Sequence, residues 1–231
     1  MPLSNKVVLI TGANGRLGSA VTNAFLQAGA RVAGVSKKIQ DSDFPNTNFA
    51  AFSAELGSAD AARAVVAGVI AKWEKIDALV HLIGAFTGGK SVADTDDAAF
   101  EQMLDANLRA AFVIFRAVIP EMRKRNSGRI LAIGSKTAVD PQPMVGAYSA
   151  SKAALVSLVR TIALENKDRG ISANVILPGT MDTPANRAAM PGSDPAKWVE
   201  PAQVASLLVH LASDQASQIS GAVIPILGGD L

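Results

Sequence analysis

Short apolar runs alternate with longer helical patterns along the whole of this chain, and no other feature restricts the fold as much. The runs Val7–Ile10, Arg31–Val35, Asn48–Phe52, Ala78–Ile83, Arg129–Ile133, Ser172–Leu177 and Ala222–Ile226 are apolar almost throughout. That is the pattern of strands covered on both faces. Helical patterns lie between them at Leu17–Ala28, Ala59–Lys75, Ala98–Lys124, Ala147–Asn166 and Pro201–Ala212. Strands that alternate with helices pair in parallel, because each helix carries the chain back across the sheet. The prediction is an α/β fold, a doubly wound parallel sheet of about seven strands. At 49% hydrophobic, the 231 residues can bury the core such a sheet needs.

No composition shift, repeat or low-complexity tract marks a boundary, so 1–231 reads as a single domain. The pattern Ala98–Lys124 is expected to break or bend near Asp105–Asn107. Pro178–Glu200 is the least regular stretch, and an irregular loop of that length is usually functional. A short lid over a substrate is expected around 180–200.

A net charge of only +2 gives no basic stripe, so nucleic acid is not an expected partner. The absence of cysteine excludes disulfides, thiolate nucleophiles and cysteine zinc sites. With His81 and His210 the only histidines, and no carboxylates at ligand spacing, no metal site is expected. No apolar run reaches the ~18 residues of a membrane span. The first apolar run starts too early to leave room for a cleaved signal peptide. The expectation is a cytoplasmic protein without a membrane partner.

The first strand runs into Gly12-Ala13-Asn14-Gly15-Arg16-Leu17-Gly18 and then a helix. Glycines there permit a tight turn and close approach of backbone to a pyrophosphate. The helix that follows offers unpaired N–H groups and the positive end of its dipole. Strand, glycine turn and helix together are the context of a dinucleotide site, and make the sheet Rossmann-type. An acidic residue after the second strand would favour the ribose hydroxyls of NAD. This chain carries Ser36-Lys37-Lys38 there, with Arg16 in the turn. Cations and a small hydroxyl suit a 2′-phosphate. NADP is therefore the expected cofactor, with NAD possible.

Tyr148 and Lys152 are four residues apart, which places both on one face of a helix. An ammonium held there is expected to favour the phenolate and draw the tyrosine below its usual pKa of about 10. Such a group passes a proton near neutral pH. Ser135 can hold a carbonyl oxygen beside it. Tyr148 is the only tyrosine in the chain, so no other phenol can fill the role.

On these residues the chain resembles the short-chain dehydrogenase/reductase family over essentially its full length. Tyr148-x-x-x-Lys152 is that family's signature, and Ser135 stands thirteen residues before the tyrosine, the family's usual spacing. Asn107 sits where the family has its fourth catalytic residue. The resemblance implies Tyr148 as general acid or base and Ser135 as the group that orients substrate oxygen. It implies Lys152 as the tuning group that also binds the nicotinamide ribose. Asn107 would bend its helix and hold a water in a proton relay to Lys152. Gly84, Pro178, Gly179 and Thr183 would lie at the nicotinamide end, and Glu55 and Leu56 after the third strand would complete the cofactor site. The family forms dimers or tetramers through its two longest helices, so a homo-oligomer, a dimer or homotetramer, is expected.

Two departures point to one branch. The glycine spacing is Gly-x-x-Gly-x-x-Gly, and His81-Leu82-Ile83-Gly84 replaces the usual Asn-Asn-Ala-Gly. Dihydropteridine reductases share the former. The segment from Leu177 through Asp182-Thr183-Pro184 to Asn186-Arg187, with Met190 and Trp198, is similar to theirs. Against them stand Ser135, which the animal pterin enzymes lack, and Ser36-Lys37-Lys38 in place of their aspartate. The resemblance therefore implies hydride transfer between NADP(H) and a small carbonyl or alcohol. The alternatives are reduction of a quinonoid dihydropterin and a non-catalytic nucleotide-binding regulator. Phe86, Thr87, Met144, Met181, Met190 and Trp198 are the expected substrate walls, and Asp182 with Arg187 is expected to pin the lid. His81 reads as a structural substitute.

Overall fold

The computed structural model describes residues 2–229. Seven strands form one parallel sheet: β1 (Val7–Thr11), β2 (Arg31–Ser36), β3 (Phe49–Ser53), β4 (Ala78–His81), β5 (Gly128–Ile133), β6 (Ile171–Pro178) and β7 (Val223–Ile226). Their spatial order is β3-β2-β1-β4-β5-β6-β7. The chain builds outward from β1 to β3, then crosses back to lay β4 on the other side of β1. Thr11 at the end of β1 is in register with Val35 on one side and His81 on the other. The strand order reverses at that point, and the crevice beyond the carboxyl ends of β1 and β4 is where such sheets bind ligands.

Alternate residues of each strand enter opposite cores. Val7 and Leu9 face a core shared with α2 (Ala59–Trp73), α4 (Ala110–Arg125) and α5 (Gly146–Glu165). Val8 and Ile10 face the core built with α1 (Arg16–Gln27) and α7 (Pro201–Ala212). Two shorter helices remain, α3 (Asp97–Leu104) and α6 (Pro184–Ala189). Strands packed on both faces have little use for polar residues, which is why the apolar runs are nearly continuous.

Strand four ends at His81 instead of running to Ile83. Leu82 still donates its N–H to the Thr11 carbonyl at 3.2 Å, but the backbone then leaves the ladder. The expected break in the long helical pattern is a π-helical turn, Asp105–Arg109, between α3 and α4. Such insertions often serve a functional site. Asp77, before β4, anchors the opposite edge. It accepts from Val7 N–H at 2.8 Å, Lys75 at 2.8 Å and Arg125 at 3.0 Å. Burial alone would raise its carboxyl, yet these donors hold it below the ordinary range.

Candidate active site

The glycine turn is built for a close-lying ligand. Gly12 has φ +73°, a left-handed conformation that glycine tolerates without strain. A Cβ on Gly18 would lie 1.9 Å from the Gly12 carbonyl oxygen. Only glycine lets α1 approach the turn this closely. Gly15 precedes α1 in an extended conformation and has no side chain with which to cap it. The first N–H groups of α1 therefore open onto the turn, as a pyrophosphate requires. Arg16 is the first residue of α1 and is exposed, while Leu17 is buried in the core.

The Asn14 amide donates to the Lys38 carbonyl at 2.6 Å and to Asp43 at 3.0 Å, so it ties the turn to the loop after β2. Lys37 pairs with Glu55 at 2.5 Å, both side chains 69% exposed, so the two expected adenosine-side residues hold each other. Ser36 is half-buried and its carbonyl accepts from Ala54 N–H at 3.0 Å. The Leu56 side chain is buried in the core with α2, which leaves its backbone to meet a ligand.

Across the crevice, Tyr148 and Lys152 lie one turn apart on α5. The Tyr148 phenol lies close enough to the Ser135 side chain for that group to favour its phenolate. Ser135 caps the short turn after β5, accepting from Thr137 N–H at 3.3 Å with the Thr137 hydroxyl 3.0 Å away. The Lys152 ammonium is buried and donates to the Ile133 carbonyl at 2.9 Å. Burial lowers it to about 8. The expected depression of the tyrosine does not occur here. Burial raises the Tyr148 phenol, and Ser135 offsets only part of that. The buried site disfavours the phenolate more than the serine favours it.

Asn107, in the π-helical turn, is fully buried and satisfied on every side. Its Oδ1 accepts from Ala85 N–H at 2.9 Å, and its Nδ2 donates to the Ala85 carbonyl and to Ser151 Oγ, each at 3.0 Å. Ser151 in turn donates to the Tyr148 carbonyl at 2.7 Å. This bond set joins the helix of the tyrosine to the loop after β4. Gly84 lies between them: a Cβ there would stand 2.7 Å from Asn107 Oδ1 and 3.1 Å from Lys152 Nζ. Ser151, Ile133 and Ala85 escaped the sequence reading. Ser151 had a signal, since it sits beside Lys152 and three residues after Tyr148, where a helical serine reaches back to a carbonyl.

His81 lies beneath this cluster. Its Nδ1 is 2.9 Å from Thr11 Oγ1, its ring meets Phe115 at 5.5 Å in a T-shape, and Nε2 has no protein partner. Burial first, and then the Lys152 charge, depress it to about 3, so it is neutral.

Pro178, the last residue of β6, is buried, and Gly179 N–H donates to the Ile226 carbonyl at 2.9 Å. Thr183 is buried and caps α6 through the Asn186 N–H at 3.2 Å. Arg187 grips Asp182 with two bonds, 2.6 and 2.7 Å. Met181 and Val199 form a parallel bridge at the base of this segment. Trp198, in the same segment, is only 8% exposed. Phe86, Met144 and Met190 are exposed, and Met181 packs against the core.

The chain belongs to the short-chain dehydrogenase family, whose model matches residues 6–193. It is an NAD(P)-dependent oxidoreductase of that family. Among its relatives, 2-dehydro-3-deoxy-D-gluconate 5-dehydrogenase of Pseudoalteromonas atlantica is 30% identical across 98% of this chain and 96% of its own. A 3-ketoacyl-(acyl-carrier-protein) reductase from Brucella melitensis, solved with NADH, superposes with a TM-score of 0.89 at 25% identity, covering 98% of each chain. ElxO with NADP bound has the same fold at a TM-score of 0.91 and 23% identity, covering 97% of this chain and 98% of its own.

Proposed function

We propose that the chain is one cofactor-binding and catalytic domain that moves a hydride between NADP(H) and a small carbonyl or alcohol. What carries this reading is the Tyr148 phenol beside Ser135, one helical turn from the buried Lys152. The glycine turn, with the Gly18 cradle, fits a pyrophosphate, and the exposed cations Arg16, Lys37 and Lys38 would read a 2′-phosphate. When bound, the nicotinamide supplies or takes the hydride. The chain's own residues manage the proton. In reduction, Tyr148 donates its hydroxyl proton to the substrate oxygen while Ser135 donates a hydrogen bond to the same atom. Lys152 stabilises the phenolate left behind, and Asn107 holds the loop after β4 in place. In oxidation the same proton returns. Gly84, Pro178, Gly179 and Thr183 form the nicotinamide side, and the segment 180–200 covers the substrate.

We assign self-association to the α4–α5 face. A groove of about 290 Å³ lies there, and Phe112 is 45% exposed with Arg116 over its ring. No helix among the described residues is long and apolar enough to cross a membrane. The test is turnover of NADPH with a panel of ketones, β-ketoacyl thioesters and quinonoid dihydropterin. Ketone or thioester reduction that falls at least about a thousandfold in Tyr148→Phe and about a hundredfold in Ser135→Ala is expected. Dihydropterin reduction alone, indifferent to Ser135→Ala, would replace this reading with the pterin one. Cofactor binding without turnover of any substrate would make the chain a regulator.

A further inference from the structure

Among the described residues, Phe86 is a large aromatic left in water beside Tyr148. It is 68% exposed, yet its ring meets the Tyr148 ring at 5.0 Å with the planes at 77°. Its loop is fixed on both sides. Ala85, the residue before it, gives its N–H and its carbonyl to the buried Asn107 side chain. On the other side Gly89 N–H donates to the Met144 carbonyl at 2.8 Å. Gly88 allows this closure: a Cβ there would stand 2.8 Å from Val145 Cγ1, 3.1 Å from Phe86 Cζ and 3.3 Å from the Met144 carbonyl oxygen. Met144 is itself 48% exposed, with φ +66°. An aromatic ring held out of the core by a clamped backbone is not serving the fold's own packing. Its free face is available to a ligand, and its other contact is with the group that meets the substrate oxygen.

We propose that Phe86 is a specificity-determining residue, which with Met144 seats a flat apolar body, an aryl or cyclic conjugated ring, attached to the carbonyl that Tyr148 protonates. The inference rests on the carbonyl reading above. Phe86 has two effects in this arrangement. Its exposed face stacks on the planar part of the substrate, and the adaptable thioether of Met144 closes on the side. Its contact with Tyr148 keeps water from one side of the phenol, and so contributes to the burial that raises it. A short aliphatic ketone reaches Tyr148 without using the seat. An aryl ketone uses it fully.

The single tyrosine of the chain makes both effects readable. The experiment compares the unsubstituted protein with Phe86→Leu and Phe86→Ala. One arm measures KM and kcat for acetophenone and for a short aliphatic ketone. The other follows the one carbon-13 signal of ring-labelled tyrosine as pH rises, with circular dichroism confirming the fold. Phe86→Leu is expected to raise KM for the aryl ketone about tenfold and change the aliphatic one by less than about twofold. In Phe86→Ala the tyrosine signal should move at neutral pH and begin to titrate at lower pH. Equal changes for both ketones, or a tyrosine signal unmoved by either substitution, would overturn the proposal. Turnover of neither ketone by the unsubstituted protein overturns the carbonyl reading instead, and the tyrosine signal then decides the Phe86–Tyr148 contact by itself.

Discussion

Lys152 is held where a lysine is least comfortable, and that discomfort has a measurable sign. Burial lowers its pKa to about 8 from 10.5. In the unfolded chain it keeps its proton up to about 10.5, so between these values the unfolded state binds more protons and stability rises with pH. Below about pH 8 the folded chain carries the buried ammonium and the full penalty applies. Lys152→Met keeps the stem and removes the charge. It is expected to raise stability at pH 7 by roughly 1–2 kcal/mol, less than the pKa shift alone implies because the Ile133 carbonyl loses its donor. The advantage should shrink as pH rises through the window from about 8 to 10.5, while turnover is lost. Urea denaturation at pH 7 and pH 9.5 checks it, and a variant less stable than the parent at pH 7 would show that the ammonium is well compensated. The pairing of Tyr148 with Lys152 was legible from spacing alone, but the direction of the tyrosine's shift was not. Spacing places two side chains on a face. It says nothing of how much water reaches them, and here the absence of water outweighs what Ser135 does to favour the phenolate.

At the scale of elements, the glycine turn and the π-helical turn do related work by fixing a backbone at close quarters. The turn was readable because its glycines fall between an apolar run and a helical pattern. The bend at Asp105–Arg109 was readable because polar residues interrupt a helical run. The contacts those elements make were not readable, since Asn107 finds Ala85 and Ser151 across 22 and 44 residues of sequence. Leu56 shows the same limit: that its side chain packs into the core with α2 is not readable until that core is known. Gly18 gives the sharpest test. A methyl group would collide with the Gly12 carbonyl oxygen and with Ala13, and both are backbone, which cannot step aside cheaply. Gly18→Ala should cost about 1–3 kcal/mol of stability and push α1 off the turn. Calorimetric titration with NADPH should show affinity reduced at least about thirtyfold, because the anion cradle is distorted. Near-normal binding would mean that the pyrophosphate lies elsewhere.

At the scale of the whole molecule, the reversal of strand order between β1 and β4 gathers residues far apart in sequence at one edge of the sheet. The glycine turn follows β1, the Lys37–Glu55 pair bridges the ends of β2 and β3, Gly84 follows β4, and Ser135 follows β5. A ligand spanning that edge contacts four connections at once, so its binding energy becomes fold stability. NADPH at a hundred times its Kd is expected to add about 2.7 kcal/mol. For a chain of this size that raises Tm by roughly 5–10 °C. The part due to the 2′-phosphate can be isolated by comparison with NADH. Lys37 and Glu55 are equally exposed, so the carboxylate both occupies the lysine and sets a negative charge beside the phosphate position. Their attraction and the phosphate's are screened alike over about 10 Å at 0.1 M salt. The stabilisation by NADPH over NADH should therefore narrow as salt rises from 0.02 to about 0.5 M. Glu55→Gln should widen it at low salt by freeing Lys37, and Lys37→Ala should reduce it. A gap that ignores salt and both substitutions would mean that these cations do not read the phosphate. Cofactor choice would then fall to Ser36 and the backbone after β2, where a hydroxyl and N–H groups discriminate without charge.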